Sequence, residues 1–211
     1  MADTDENKTE VGPDIFAEFL EVSIHLILYS RHLYPTGLFE RRKKYNVPVQ
    51  MCLHPDVTEY ISKVIQSVKV MVVSGEVSMV TLVVLDQSQN PIERFVFELG
   101  ASASEDGEDP YLFRLEDALR GFLLKLNVAD TQLKPLPQEC SWVVHVHTKE
   151  STADQFIQQK TFQDLSWVPA DRKQTQLKDP VLIPLKTTNN KRLKCIRLIA
   201  QSSMAEAVLD L

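Results

Sequence analysis

The chain of 211 residues is poor in cysteine and glycine, which excludes several kinds of site. Its three cysteines, Cys52, Cys140 and Cys195, are far apart and form no C-x-x-C pair. They therefore predict reduced thiols in a cytosolic or nuclear protein, and neither a disulfide framework nor a zinc site. None of the six glycines is spaced as in a phosphate-binding loop such as G-x-G-x-x-G. The G-x-S-x-G turn of serine hydrolases is missing too.

Long apolar runs and a surplus of basic residues are also lacking. The most apolar stretch, residues 15–33, is interrupted by charged side chains, so we expect no membrane span. The polar, acidic N-terminus has no signal-peptide core. With 23 basic and 29 acidic residues, the formal net charge is -6. Such a chain lacks the broad basic surface needed to grip phosphates. We expect no direct sequence-specific nucleic-acid binding, and any link to DNA to run through protein partners.

The hydrophobic pattern predicts one α+β domain, an antiparallel sheet backed by three helices. Helices are predicted to begin at Pro13 and Pro55, and a third apolar stripe recurs at helical spacing from Leu112 to Leu126. Two runs rich in β-branched and aromatic residues, 79–85 and 92–99, predict a hairpin. Alternation over 141–148 predicts a further strand. The acidic stretch 100–110 predicts a flexible loop.

The pattern changes at about Lys149, where helical periodicity disappears and short extended runs alternate with polar loops. A segment of this kind, attached to a body of helices and strands, is expected to be peripheral and movable. We therefore predict a disordered tail over residues 1–12 and a single domain over 13–200. Within it, 13–148 form the body and 149–200 the irregular C-terminal segment, followed by a tail over 201–211.

Few residues are arranged for chemistry. His145 and His147 share one face of a predicted strand at a spacing that some metal sites use, but no nearby cysteine or acidic cluster supplies further ligands. A polar, solvated strand face is the simpler interpretation. The acidic pairs within 105–109 lie in the flexible loop, where catalytic geometry cannot be held. We expect no enzyme, no metal and no cofactor.

The basic run Arg41 to Lys44 has three interpretations: a solvated loop, a nuclear-import signal or a phosphate contact. Four positive charges can add a weak, salt-sensitive contact with DNA but cannot read its sequence. The sequence leaves the three open.

Two aromatic residues are candidates for a binding surface. Trp167 lies in a polar stretch directly before Pro169, and Tyr60 interrupts the exposed side of the second helix. Large aromatic side chains often only cap a core. The alternative is a surface on which aromatic rings stack against the prolines of an extended peptide.

Several segments, in the same order, resemble the HORMA family, in particular the branch that contains the accessory subunit of translesion DNA polymerase zeta. They are EFLEVSIHLILY (18–29), RKKYNVPVQM (42–51), HP (54–55), FVFE (95–98), VHTK (146–149) and DPVLIPLKT (179–187). The resemblance covers roughly residues 14–200. It implies a HORMA fold, in which segment 149–200 is a "safety belt" that wraps around a short partner peptide. We call this segment the belt.

The resemblance also assigns binding residues. Tyr60 and Trp167 match the family's peptide-contacting aromatics. Leu182 and Lys186 match belt positions that face the C-terminal domain of a second translesion polymerase, which serves as a scaffold.

Two further pairs follow from the same comparison of motifs. Arg120 and Lys125, on the third helix, match a HORMA–HORMA dimer surface. Ile196 and Leu198, on the last belt strand, stand where the family carries a glutamine and a tyrosine. This departure bears on the scaffold contact, which has either been lost on that strand or become apolar.

The function implied by the resemblance is that of a non-catalytic adaptor in the nucleus. It would trap a proline-containing peptide of polymerase zeta's catalytic subunit in translesion synthesis and DNA-damage repair, with end-joining factors as further partners. The alternative within the same fold is a mitotic regulator that binds activators of the anaphase-promoting complex. Besides the nucleus, we expect a cytoplasmic or spindle pool of the protein.

Overall fold

The computed structural model describes residues 11–100, 112–148, 167–177, 180–190 and 194–203. Within them the chain forms three α-helices, α1 (Val11–Ser30), α2 (Pro55–Val73) and α3 (Leu112–Ala129), and seven strands. The strands are β1 (Phe39–Lys44), β2 (Val47–Cys52), β3 (Val77–Leu85), β4 (Pro91–Gly100), β5 (Ser141–Thr148), β6 (Pro180–Asn190) and β7 (Lys194–Ser203). The α+β prediction is confirmed. No helix in the described ranges is long and apolar enough to cross a membrane.

The domain limits stay predictions. Described secondary structure extends from Val11 to Ser203, slightly beyond the predicted 13–200. The predicted tails lie mostly outside the described residues, as do most of the acidic loop 100–110 and the first part of the belt, 149–166.

Five strands form one antiparallel sheet in the order β5-β3-β4-β7-β6. β3 and β4 make the predicted hairpin, with Thr81 opposite Val96. On its other side β3 pairs with β5, where His145 lies opposite Thr81. The belt strands β7 and β6 extend the sheet beyond β4. Among the described strands, β5 is therefore one edge of the sheet and β6 the other.

The core lies where the helices cover one face of the sheet. The ring of Phe19 on α1 packs against Phe97 of β4, with centroids 6.2 Å apart, and against Phe122 of α3, at 5.5 Å. α1 thus contacts both the sheet and α3, and α3 itself lies against β6 through Phe122 and Lys186. These contacts explain why apolar residues surround α1 on most sides. Burying one such side chain stabilises the fold by about 1.5–3 kcal/mol.

A buried ion pair fixes the end of α1. Arg31 donates two hydrogen bonds to the carboxylate of Glu93 on β4, at 2.8 and 3.1 Å, and a third to Asp130. Arg31 and Glu93 are both buried. The guanidinium thereby joins α1, the sheet and the turn that follows α3.

The basic run is a strand, so the loop interpretation is wrong. Arg41 to Lys44 belong to β1, which pairs with β2 through a two-residue turn at Tyr45 and Asn46. Both turn residues have positive φ, 45° and 59°, as the tightest hairpins require. The basic side chains are exposed or half-buried, while Val47 and Val49 of β2 are buried. The buried valines hold the hairpin against the helices. The strand was missed because a run of four charged residues has no alternation of apolar and polar side chains.

Candidate functional site

An aromatic cluster marks the beginning of edge strand β5. The ring of Tyr60 on α2 meets Trp142 of β5 edge-on, with centroids 5.4 Å apart. The indole of Trp142 donates a 3.1 Å hydrogen bond to the hydroxyl of Tyr34. Burial, and then the neighbouring Tyr34, raise the pKa of Tyr60, so its hydroxyl stays protonated at neutral pH. Tyr60 remains 37% exposed, so this predicted site residue is accessible to a ligand.

The other predicted aromatic, Trp167 of the belt, contacts α2. The indole of Trp167 donates a 2.6 Å hydrogen bond to the buried hydroxyl of Ser67, and its half-buried ring packs against the core. Val168, the next residue of the belt, is 76% exposed. Ser67 and Tyr60 are two helical turns apart, about 10 Å along the axis. One helix therefore carries both contacts, and the belt at Trp167 is attached to the body.

The outer edge of β5 is unpaired in the part of the chain that the structure describes. β5 pairs with β3 on one side, and no described strand lies on the other. An edge strand presents a row of free N–H and C=O groups to which another extended chain can add. The edge begins beside Tyr60 and Trp142, so the aromatic cluster and the free backbone form one surface.

The described belt stretch 167–177 contacts both sides of the sheet. Trp167 reaches α2 on the helical side. The carbonyl of Thr175 accepts a 2.8 Å hydrogen bond from Arg94 of β4. Arg94 lies on the side away from the helices, because its neighbour Phe95 faces the core. The belt therefore passes from one side of the sheet to the other within a few residues.

The histidine prediction needs correction. His145 is only 8% exposed and half-buried His147 is two residues further along β5, so this strand face is not solvated. Burial, followed by the charge of Arg94, lowers the pKa of His145 to about 4, and the pKa of His147 is lowered for the same reasons. Both imidazoles are neutral at neutral pH. Among the described residues no group of three or more His, Cys, Asp or Glu side chains is placed to hold a metal.

The predicted dimer residues lie on α3. Arg120 is half-buried and donates to the carbonyl of Tyr45 at 3.3 Å, and it pairs with Asp117 at 3.2 Å. Lys125 is exposed, beside Leu124, which is 50% exposed. The guanidinium is thus held by its own chain at the tip of the β1–β2 hairpin and does not project freely from the helix.

The predicted scaffold-binding residues lie on β6, at the far edge of the sheet. Leu182 is 59% exposed. Lys186 is half-buried, with its ammonium 6.0 Å from the centroid of the Phe122 ring. The backbone register places Leu182 opposite Gln201, whereas Leu198 pairs with Lys186. The side chains of residues 196 and 198 lie outside the described residues, so the predicted apolar patch stays a prediction.

Sequence reasoning missed several residues of this site, namely Tyr34, Ser67, Arg94 and Trp142. Trp142 was placed on a strand but not in the site, although a tryptophan at the start of a strand, whose ring N–H needs a partner, is a usable signal. The Trp142–Tyr34 bond spans 108 positions of the chain, and no local pattern predicts it.

Comparison with known proteins gives the family. The HORMA domain model matches residues 14–183. The Homo sapiens protein named "Mitotic spindle assembly checkpoint protein MAD2B" is 41% identical over 191 residues, covering 90% of both chains. The Arabidopsis thaliana "DNA polymerase zeta processivity subunit" is 34% identical over 217 residues, covering 100% of this chain and 95% of that one.

Solved structures share the fold. A chain in the crystal structure of the Mitotic Checkpoint Complex superposes with a TM-score of 0.75 at 19% identity, over 91% of this chain and 98% of that one. C. elegans HTP-2 bound to HTP-3 closure motif 1 gives 0.71 at 14% identity, over 91% and 86%. On the match of its sequence and its fold, the chain belongs to the HORMA domain family.

Proposed function

We propose that this chain is a non-catalytic adaptor that traps a proline-containing peptide of the catalytic subunit of DNA polymerase zeta, as an accessory subunit in translesion synthesis and DNA-damage repair. The observation that carries the proposal is the pair of belt contacts on opposite sides of the sheet, through Trp167 and Thr175, together with an edge of β5 that pairs with no described strand. The name of the Arabidopsis thaliana relative supports the polymerase, and the closure motif bound by HTP-2 supports the peptide.

In this proposal the peptide adds to the edge of β5 through main-chain hydrogen bonds. Its prolines stack against Tyr60 on the body and Trp167 on the belt. Proline already restricts the free peptide to extended geometry, so ordering it costs little entropy. Because the belt passes around the bound segment, the peptide leaves only when the belt moves. Affinity then resides in a slow off-rate more than in a fast on-rate.

The adaptor role requires two partners at once, and the sheet provides room for both. Leu182 and Lys186 lie on β6, four strands away from β5, or about 19 Å at the usual strand spacing. A scaffold polymerase domain on β6 would not overlap a peptide on β5. The chain itself performs no reaction in this proposal, and it acts in the nucleus.

A second candidate is favoured by the names of other relatives. Those at 40–41% identity are called mitotic spindle assembly checkpoint protein MAD2B. The same trap would then hold activators of the anaphase-promoting complex.

Affinity purification from cells followed by mass spectrometry separates these functions. Recovery of a large B-family polymerase supports the adaptor, whereas recovery of anaphase-complex activators alone supports the second candidate. Salt-sensitive binding of the purified chain to bare DNA, with neither partner, would contradict both.

A matched pair of variants on α2 tests the site. Tyr60→Ala should weaken binding of the polymerase peptide by about 2 kcal/mol or more, the size of an interface hot spot. Val73→Ala, at an exposed position on the last turn of the same helix, should not. Isothermal titration of both proteins with the same peptide gives the comparison, and equal losses would contradict the assigned site.

A further inference from the structure

A cluster of buried polar atoms on the sheet has no hydrogen-bond partner among the residues that the structure describes. The atoms are Oγ1 of Thr81, Nε of Arg94, Nδ1 of His145 and Nε2 of His147. Thr81 is fully buried, while Arg94 and His145 are each 8% exposed. The cluster includes the residue that contacts the belt, because Arg94 also donates a hydrogen bond to the carbonyl of Thr175.

The register places all four side chains on one face. Thr81 lies opposite His145 on one side and opposite Val96 on the other. Arg94 is two residues from Val96, and His147 two residues from His145, so each shares a face with its neighbour. This is the face away from the helices. The cluster therefore extends from the free edge strand β5, across β3, to β4.

Buried polar groups in folded proteins are nearly always hydrogen-bonded, and each exception calls for an explanation. Among the described residues, four exceptions share one face, and two of them lie on β5, whose outer edge pairs with no described strand. A segment added to that edge would bring every second side chain to this face, about 5 Å from the histidines. The missing partner is therefore expected on the trapped segment.

The charge of the cluster decides which side chain fits. Arg94 is positive, and its Nε hydrogen has no partner within the described ranges. Thr81 supplies a hydroxyl donor, and each imidazole can donate through one nitrogen. Glu98 lies on the same face of β4, opposite Met79, and its side chain already interacts with another group. A carboxylate on the added strand would accept hydrogen bonds from the imidazoles of β5 and would be attracted by the charge of Arg94, two strands behind them. An ammonium would be repelled by Arg94.

We propose that His145 and His147, backed by Arg94, form a subsite that receives an acidic side chain of the trapped peptide, at a position facing away from the helices. The inference rests on the proposed function, because it needs a peptide on the edge of β5. It adds a sequence requirement to that function: besides proline, the peptide carries Asp or Glu at a defined position.

The test is an aspartate scan of a synthetic peptide that contains the proline-containing segment of polymerase zeta's catalytic subunit. Each position in turn is made Ala, Asp or Lys, and affinities are measured by fluorescence anisotropy. We expect roughly tenfold tighter binding for Asp than for Ala at one position, or at two positions separated by one residue. Lys should be the weakest of the three there.

Variants of the protein assign the preference to the subsite. In His145→Leu and in His147→Leu, the ratio of Asp to Ala affinities should fall towards one. His32→Leu, which alters an exposed histidine at the end of α1, should keep the ratio of the unaltered protein. The melting temperatures of the three variants report whether each is folded. If His145→Leu does not fold, His145→Gln takes its place.

The possible results distinguish a failure of the acidic subsite from a failure of the proposed peptide-trapping function. If the parent peptide binds and dissociates slowly but no position prefers Asp, the acidic subsite is wrong and the peptide trap stands. If the preference persists in His145→Leu and His147→Leu, the carboxylate binds elsewhere. If no peptide of the series binds, both proposals are overturned.

Discussion

The indole of Trp167 donates a 2.6 Å hydrogen bond to the hydroxyl of Ser67, 100 residues away in the sequence. This contact attaches the belt to α2. The Trp167 ring can serve two roles, capping the core and binding the peptide. It is half-buried against the core, and it lies beside the proposed peptide path.

Replacing Trp167 by alanine tests which role dominates. If the ring serves the ligand, peptide binding falls by about 2–4 kcal/mol and the protein without peptide melts almost as before. If the ring caps the core, the unliganded protein is destabilised by about 3–5 kcal/mol. Thermal unfolding without peptide decides, and we expect the small change. Ser67→Ala is the matched control, since it removes only the hydrogen bond, worth about 1 kcal/mol.

Arg120 is expected to control dimerisation. Its ion pair with Asp117 is partly exposed, and such pairs contribute about 0–1 kcal/mol. Arg120→Ala should therefore leave the melting temperature nearly unchanged. It should give a monomer, because the resemblance places this guanidinium on the dimer surface. Asp117→Ala breaks the same pair but keeps the guanidinium, and should still dimerise. Sedimentation of the two variants is the measurement, and an unaltered monomer–dimer equilibrium in Arg120→Ala would refute the assignment.

Leu182 is expected to serve the scaffold polymerase and not the core, since it is 59% exposed. Leu182→Ala should weaken binding of the scaffold's C-terminal domain by about 1–2 kcal/mol, the value of the apolar surface removed. It should leave binding of the catalytic-subunit peptide intact. Val181→Ala, the neighbouring exposed residue, is the control. Loss of both interactions in Leu182→Ala would show a general effect on the fold.

His25 is expected to make stability depend on pH. Its Nδ1 accepts a 3.2 Å hydrogen bond from the N–H of Cys52. Burial, and then the charge of Arg42, lower the pKa of His25 to about 4. Between this value and about 6.5, the unfolded chain binds the proton that the folded chain excludes, so stability is lost as pH falls through that window. The loss attributable to His25 is about 3 kcal/mol.

Urea unfolding between pH 4 and 7.5 measures this dependence. In His25→Asn, which keeps an acceptor for the Cys52 N–H but cannot titrate, the dependence should be weaker. It should not vanish, because the pKa of His145 is lowered too. His32→Asn, at an exposed position, should behave as the unaltered protein. An unchanged slope in His25→Asn would mean that this histidine does not titrate differently in the folded state.

Much of the fold was readable because its signals are local. The apolar stripe of α2, from Val57 to Met71, repeats every three or four residues, and Pro55 begins the helix as predicted. The alternation of β5 from Ser141 to Thr148 was equally direct. These periodicities follow from the geometry of a single element, so the sequence determined them without reference to the rest of the molecule. The sequence context singled out Tyr60 and Trp167 as candidate binding residues, and the resemblance to the HORMA family assigned them to the peptide.

What the sequence could not decide depends on which segments meet. The run Arg41 to Lys44 becomes a strand only because β2 pairs with it, and His145 becomes buried only in the assembled sheet. The bond between Trp167 and Ser67 and the passage of the belt to Arg94 join residues far apart in the chain. The energy of such contacts comes from burial and pairing between distant segments. A local pattern reports which face of an element is apolar, and only the tertiary structure decides what covers it.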